Sequence, residues 1–174
     1  LFISIPKFFN YEKKQDIIKT YLYNYYNLEL QSFNTIKFNI FPFPNLSIEN
    51  PSLKIKDNPI FFKVKNLHIF LNLNNIYRYE NLKPKKIIFN KTNTSLEINQ
   101  IKEILKYFDN LENRFDIKSL NVNLKKNNKI LFDLKDLYFS NYGYKKYQIS
   151  GKIFNKKFKA FLKNENKDLN FKIS

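Results

Sequence analysis

The stretch FPFPNLSIENPSLKIK, from Phe41 to Lys56, predicts how the chain is organised. Apolar and polar residues alternate on both sides of Pro51, which is the pattern of short strands that have one apolar and one polar face. Proline cannot donate a hydrogen bond to a ladder, and it pushes the residue before it toward extended geometry. We therefore expect Pro42 and Pro44 to end a strand that runs from Ile36 to Phe41. Pro51 then requires a bulge, an edge or a turn between two strand pieces.

The same alternation with period two continues along most of the chain. It is found in residues 67–73, 120–124, 130–134, 158–162 and 169–173. Two other segments have the apolar period of a helix, from about Tyr11 to Tyr26 and from about Asn99 to Glu112, with Asn10 and Asn99 as N-caps. The short Asn-rich turns favour hairpins and meanders over parallel crossovers. The predicted fold class is α+β, mainly β, with an antiparallel meander sheet that has one apolar face and two amphipathic helices.

The composition suits one domain that spans residues 1–174. Of the 174 residues, 43% are hydrophobic and 18% are aromatic, which is enough to build a sizeable core. The chain has no methionine and begins at Leu1, so we expect it to be a segment of a longer protein. No apolar run in the sequence approaches the roughly 20 residues that a membrane helix needs. The apolar opening, Leu1 to Pro6, suits either a first strand or the outer end of a membrane helix.

The net charge of +16 comes from 31 basic and 15 acidic residues and suggests a polyanionic partner. Only Arg78 and Arg114 are arginines, although arginine is the residue that grips phosphate and guanine edges with two hydrogen bonds. Lys, Asn, Ile, Phe and Tyr have A+T-rich codons, and their abundance indicates codon bias as the main source of the lysines. In that case the lysines should be scattered over the polar faces. A surface for polyanions, including anionic lipid headgroups, is the alternative.

The sequence carries no recognisable catalytic constellation. It has no cysteine and a single histidine, His68, so a zinc shell of His and Cys cannot form. The two glycines, Gly143 and Gly151, are too few for a phosphate-binding loop. Asp133 and Asp136 are three positions apart on a strand, which is expected to place them on opposite faces and to prevent paired acid–base work. We therefore predict no enzyme activity, no catalytic residue, no metal site and no cofactor.

The apolar face of the sheet is the remaining candidate for function. Two helices cover few strands, and an apolar face with little to cover it is left for a partner or a lipid. We therefore predict that acyl chains lie against one phase of the strands. The predicted lipid-facing residues are Leu46, Ile48, Leu53, Ile55, Leu67, Ile69, Leu71 and Leu73. An ordinary core under two helices is the alternative interpretation of the same pattern.

From about Ile17 to Gly151 the order of these elements resembles the amino-terminal part of AsmA-family proteins of Gram-negative bacteria. The family pattern has a strand that ends in a Phe-Pro step, which Phe41-Pro42 matches. The strands that follow are matched by Asn45 to Asn50, Leu71 to Leu73, Ile87 to Phe89 and Leu96 to Ile98. The chain departs from the family where Ser32 and Asn34 stand, because the family often has glycine before the Phe-Pro strand.

The resemblance implies an inner-membrane anchor upstream of Leu1 and a body in the periplasm. Larger relatives look like bridge-type lipid carriers with an apolar groove, and the family is implicated in phospholipid traffic and outer-membrane biogenesis. The function it implies is a non-enzymatic contribution to phospholipid transport or outer-membrane assembly, with a phospholipid or another acyl-chain lipid as partner and no nucleic acid. The alternative is a basic module that binds polyanions or nucleic acid.

Overall fold

The computed structural model describes residues 15–71, 84–141, 146–153, 156–165 and 168–173. The predicted cap Asn10, the first residues of the predicted first helix and the lipid-facing candidate Leu73 lie outside these ranges. The described residues form helices α1 (Gln15–Tyr26) and α2 (Ile101–Asp109), a 3₁₀ turn (Ile98–Gln100) and one sheet of 11 strands. The strands are β1 (Leu28–Ser32), β2 (Ile36–Asn39), β3 (Asn45–Glu49), β4 (Ser52–Ile55), β5 (Phe61–Leu71), β6 (Pro84–Glu97), β7 (Phe115–Lys126), β8 (Lys129–Ser140), β9 (Lys146–Ile153), β10 (Lys156–Glu165) and β11 (Asp168–Ile173). The prediction of an α+β, mainly β fold is confirmed.

Both predicted helices form: α1 ends at the predicted Tyr26, and α2 is shorter than predicted and has a different cap. The helical period of α1 predicts that Tyr25 lies on the buried side with Ile18, Tyr21 and Leu22, but Tyr25 is 39% exposed and Tyr26 is buried in its place. α2 begins after the 3₁₀ turn, so the predicted cap Asn99 lies inside that turn. The Glu97 backbone N–H donates to the Gln100 side-chain oxygen at 2.9 Å and closes a capping box, which explains where the turn starts.

The sheet is mixed, although most of its pairs are antiparallel. Its strand order is β1-β4-β5-β6-β7-β8-β9-β10-β11, with β2 paired to β3 and β3 paired to β5. Strands β6 and β7 run parallel, with Phe89 opposite Ile117, and the other pairs of the described residues are antiparallel. A parallel pair needs a crossover, and α2 supplies it. The predicted meander is therefore interrupted by one β-α-β unit.

Strands β3 and β4 lie end to end along the same edge of β5, with Pro51 between them. The two ladders keep one register, since Asn45 stands opposite Phe70 and Ser52 opposite Lys63. Hydrogen bonds continue through the break, because the Val64 N–H donates to the Pro51 carbonyl at 3.0 Å. No extra residue is inserted, so the break is a kink in one continuous line of strand. This differs from the bulge, edge or turn that the sequence predicts.

A row of residues with positive φ crosses the sheet at the level of this kink. They are Asn50 (49°), Lys91 (51°), Ser119 (56°) and Asp136 (52°). Lys65 does not have positive φ but lies at the same level of the sheet, because its N-terminal and C-terminal neighbours pair with Thr92 and Asn90 in one register. We call this row the crease: Asn50, Lys65, Lys91, Ser119 and Asp136. Successive buried positions are three residues apart across it, as from Phe89 to Thr92, so the same face stays buried on both sides.

Both helices pack on the buried face of the sheet through aromatic side chains. Phe89 and Phe115 meet edge to face with ring centroids 4.7 Å apart, and Phe108 of α2 lies 5.9 Å from Phe115. Each such pair contributes about 0.5–1.5 kcal/mol beyond its burial. The Tyr107 hydroxyl of α2 donates to the Tyr26 carbonyl of α1 at 2.8 Å, so the two helices are joined to each other as well as to the sheet.

Candidate functional site

Most of the predicted lipid-facing side chains lie in the core. The six that are 0–3% exposed are Leu46, Ile48, Leu53, Ile55, Leu67 and Ile69. Leu71 is partly buried against the same cluster. Helix residues such as Leu22 and Ile104 belong to this cluster and are buried with them. The six therefore form the protein's own core, which corrects the prediction that they line an open groove.

The apolar face continues past the helices onto β7 and β8, and there it is open. Val122 is 7% exposed and stands opposite Leu134, which is only partly buried. The next pair, Leu124 and Phe132, is more open, with Phe132 55% exposed. The register shifts after this pair, so Ile130, which is 58% exposed, stands opposite Lys125 and does not share the face of Phe132. We call three residues the open stripe: Leu124, Phe132 and Leu134.

The open stripe lies beside a free strand edge. Within the described ranges, β9 pairs with β8 only at Tyr138, Phe139 and Ser140. Residues 129–136 of β8 therefore pair on the β7 side alone within those ranges. An unpaired edge is where another strand can add, and the exposed charges of Lys129 and Lys135 are typical of an edge that resists unselective pairing.

Gly151 lies on β9 next to Leu137 of β8. A Cβ atom at this position would lie 2.5 Å from Leu137 Cδ2 and 3.3 Å from Phe158 Cε1. Leu137 is 2% exposed, so its side chain has little room to move away. Glycine is therefore required for this close approach at the end of the β8–β9 pairing. Sequence reasoning counted this glycine only as evidence against a phosphate-binding loop.

The polar face carries a groove of about 860 Å³ along the crease. Three of its lining residues are the lysines Lys63, Lys65 and Lys91. Lys65 and Lys91 stand opposite each other on β5 and β6, which is destabilising for like charges. None of the ion pairs in the described part of the chain involves these three lysines. Three lysines therefore line one groove of the polar face, and the even scatter of the lysines stays a prediction.

The crease changes the placement of the two aspartates on β8. Asp136 lines the groove at the crease, and Asp133 lines its continuation, so both lie on the polar face. The prediction that they lie on opposite faces is wrong, because positive φ at Asp136 shifts the alternation by one residue. They have separate partners: Lys135 Nζ lies 3.0 Å from Asp133, and the Ser119 hydroxyl donates to Asp136 at 2.8 Å.

The surroundings of His68 are those of a residue with a structural role. It is partly buried, and its Nδ1 lies 3.2 Å from the Asn45 side-chain oxygen. Burial and, to a smaller extent, the nearby Lys118 lower the pKa of His68, so its ring is neutral at pH 7. Within the described ranges, no group of three His, Cys, Asp or Glu side chains is placed to hold a metal ion.

Comparison with known proteins leaves the family open. No known family model matches the chain, and no curated protein sequence is significantly similar to it. The similarity to AsmA-family proteins therefore stays a prediction. Neither α1 nor α2, the helices of the described residues, is long and apolar enough to cross a bilayer.

Proposed function

We propose that this chain is a non-enzymatic segment that binds lipid acyl chains along the open stripe. In the cell it would contribute to phospholipid transport or outer-membrane assembly, as an AsmA-like protein of a Gram-negative bacterium. One observation carries the proposal: the apolar face of the sheet extends beyond its helices and ends in Phe132, which is 55% exposed. Exposed apolar side chains that continue a buried core are a favourable surface for an apolar ligand.

The energetics of the open stripe favour an acyl chain. Burying a methylene group contributes about 0.8 kcal/mol, so ten methylenes lying on an open face, about half covered, would contribute roughly 4 kcal/mol. A strand added at the free edge of β8 would widen the stripe and raise this contribution. Such growth strand by strand would turn one apolar face into a longer groove.

We also propose where in the cell this protein is located. The resemblance to the AsmA family favours a periplasmic body that is anchored to the inner membrane through a segment upstream of Leu1. The full-length gene product tests this directly. A stretch of about 20 apolar residues before Leu1 would support the anchor, and a polar sequence there would contradict it.

The lipid proposal is tested by two matched variants on one strand. Phe132→Asp places a charge on the open stripe, where an acyl chain would have to desolvate it. Leu131→Asp makes the same change on the adjacent residue, which is 46% exposed and lies at the register shift between β7 and β8, outside the open stripe. We expect lipid that co-purifies with the parent protein, measured by mass spectrometry, to be lost from Phe132→Asp and kept by Leu131→Asp. A parent protein without lipid, or equal lipid content in the two variants, would refute the proposal.

A second candidate function is binding of a polyanion in the groove on the polar face. The like-charged pair Lys65 and Lys91 favours it, because an anion placed between them would relieve their repulsion. The test compares Lys65→Gln/Lys91→Gln with Lys152→Gln/Lys156→Gln, which removes equal charge from exposed sites on β9 and β10. If lipid binding is the function, affinity for duplex DNA is weak, falls equally in both variants and disappears between about 50 and 200 mM salt. A selective loss in the first variant at the higher salt would favour the polyanion.

A further inference from the structure

The loop between β2 and β3 holds two phenylalanines out in water. β2 ends at Asn39, two residues before the predicted end of the strand, and residues 40–44 lead into β3. Phe41 is 88% exposed and Phe43 is 67% exposed, more than any other large hydrophobic side chain of residues 15–71, 85–141, 146–152 and 156–161. We call residues 40–44 the aromatic loop.

Hydrogen bonds from neighbouring strands hold the backbone of the aromatic loop in place. Asn45 is 5% exposed, and its side-chain NH₂ donates to the Phe43 carbonyl at 2.8 Å. The Leu71 N–H donates to the Pro44 carbonyl at 3.1 Å, which ties the loop to the end of β5. Pro42 and Pro44 also fix their own φ angles. The two aromatic rings are therefore presented by a loop whose backbone is pinned at several points.

A simple turn would not need these residues. Turns favour Gly, Pro, Asn, Asp and Ser, so the two prolines suit the loop, but Phe41 and Phe43 do not, and their exposed rings leave a large apolar surface in water. Because the backbone is pinned, inserting the rings into an apolar phase costs little conformational entropy. The arrangement is that of a preformed apolar contact.

The surroundings of the loop are basic. Asn45 stands opposite Phe70, and Phe70 stands opposite Lys86, so Lys85 and Lys86 lie at the same end of the sheet as the loop. Lys86 Nζ lies 5.2 Å above the Phe70 ring, and Lys85 is exposed. Lysines beside exposed aromatic rings are the pattern of a contact with an anionic membrane surface, where rings enter the interface and lysines meet headgroups.

We propose that the aromatic loop inserts into the interface of an anionic bilayer and so places one end of the sheet at a membrane surface. This inference is independent of lipid binding on the open stripe. The loop neighbours Lys86 at one end of β6, whereas the open stripe pairs with Leu96, near the other end. Ten residues of strand separate these two points, a distance of roughly 30 Å.

The test measures co-sedimentation with two kinds of vesicle, phosphatidylcholine alone and phosphatidylcholine in which about a third of the lipid is phosphatidylglycerol. The variant is Phe41→Ser/Phe43→Ser. The matched control is Phe61→Ser/Leu131→Ser, which removes two apolar side chains that are 42% and 46% exposed at other places. Lys85→Gln/Lys86→Gln tests the basic flank.

We expect the parent and the control to bind the anionic vesicles, and the loop variant to bind at least about tenfold more weakly at an unchanged melting temperature. The lysine variant should lose the preference for anionic over neutral vesicles. Failure of the parent to bind, equal binding by the loop variant, or equal loss in the control would overturn the inference. Lipid that co-purifies with the loop variant reports separately on the open stripe, so the two proposals can fail independently.

Discussion

Truncation of Ile69 and of Phe132 distinguishes the core of the sheet from its open stripe. Ile69 is 1% exposed and belongs to the central cluster, so Ile69→Ala removes side-chain atoms from a packed site. At about 0.8 kcal/mol for each buried methylene, plus a cavity that the neighbours close only in part, the expected loss is about 3–4 kcal/mol. Phe132 is 55% exposed. Since less than half of its ring leaves water on folding, Phe132→Ala should cost about 1 kcal/mol.

Urea and thermal unfolding, followed by circular dichroism, measure both losses. For a chain of this length the melting temperature should fall by roughly 10 °C in Ile69→Ala and by about 3 °C in Phe132→Ala. Lipid content measured below the unfolding transition should fall in the opposite order, more in Phe132→Ala. If Ile69→Ala were as stable as the parent and lost its lipid, Ile69 would line a groove, and its placement in the core would be refuted. Equal losses of stability would refute the distinction between core and stripe.

Three further predictions concern single side chains. Lys91 has positive φ, which glycine adopts without strain, so Lys91→Gly should leave the free energy of urea unfolding unchanged or raise it by up to about 1 kcal/mol. Lys63 lies in regular strand, so the control Lys63→Gly should lower the same free energy by about 1 kcal/mol. Gly151→Val should lower the same free energy by about 1–3 kcal/mol, since its Cβ would lie 2.5 Å from Leu137 Cδ2; an unchanged midpoint would contradict that approach. Burial raises the pKa of Tyr26 to about 12. Unfolded tyrosine ionises near pH 10, so Tyr26 alone should contribute about 3 kcal/mol to the loss of stability as pH rises from about 10 to about 12. The pKa values of Tyr21, Tyr107 and Tyr147 are raised as well, so Tyr26→Phe should reduce the fall without abolishing it in a pH series of urea unfolding.

Local periodicity accounts for the parts of the fold that the sequence predicts. Alternation in residues 67–71 and 120–124 and the helical period around Ile104 and Phe108 depend on neighbours a few positions away, and the structure has strands and helices there. The sequence also indicates the parallel pairing of β6 with β7, because a helix between two strands is typical of a parallel crossover. The short Asn-rich turns favoured hairpins instead, so the prediction was an antiparallel meander.

The crease could not be predicted from one chain. Lys91 and Ser119 have positive φ but are not residue types that favour it, so neither position stands out in the sequence. Only the register between β6 and β7 brings them side by side. The wrong prediction that Asp133 and Asp136 lie on opposite faces has the same origin, because the positive φ of Asp136 shifts the alternation by one residue.

The predicted lipid-facing residues are core residues, and the exposed apolar residues of the sheet lie elsewhere along the chain. The alternation around Ile48 and Leu67 correctly predicts a shared apolar face, since both residues are buried on it. The pattern cannot tell which part of that face the helices cover, because coverage depends on long-range packing. The exposed part of the apolar surface is indicated in the sequence by three consecutive apolar residues, Ile130, Leu131 and Phe132. A strand that is buried on one face only cannot bury all three of them.

The lengths of the elements explain why the apolar face has an open part at all. α2 has 9 residues and α1 has 12, so at about 1.5 Å per residue they are roughly 14 and 18 Å long. β7 and β8 have 12 residues each and are roughly 40 Å long at about 3.3 Å per residue. A helix packed along these strands covers less than half of their length, and the rest of the apolar face needs cover from another source. At Phe132 that cover is absent within the described chain, and an acyl chain is extended, apolar and narrow enough to supply it along the strand.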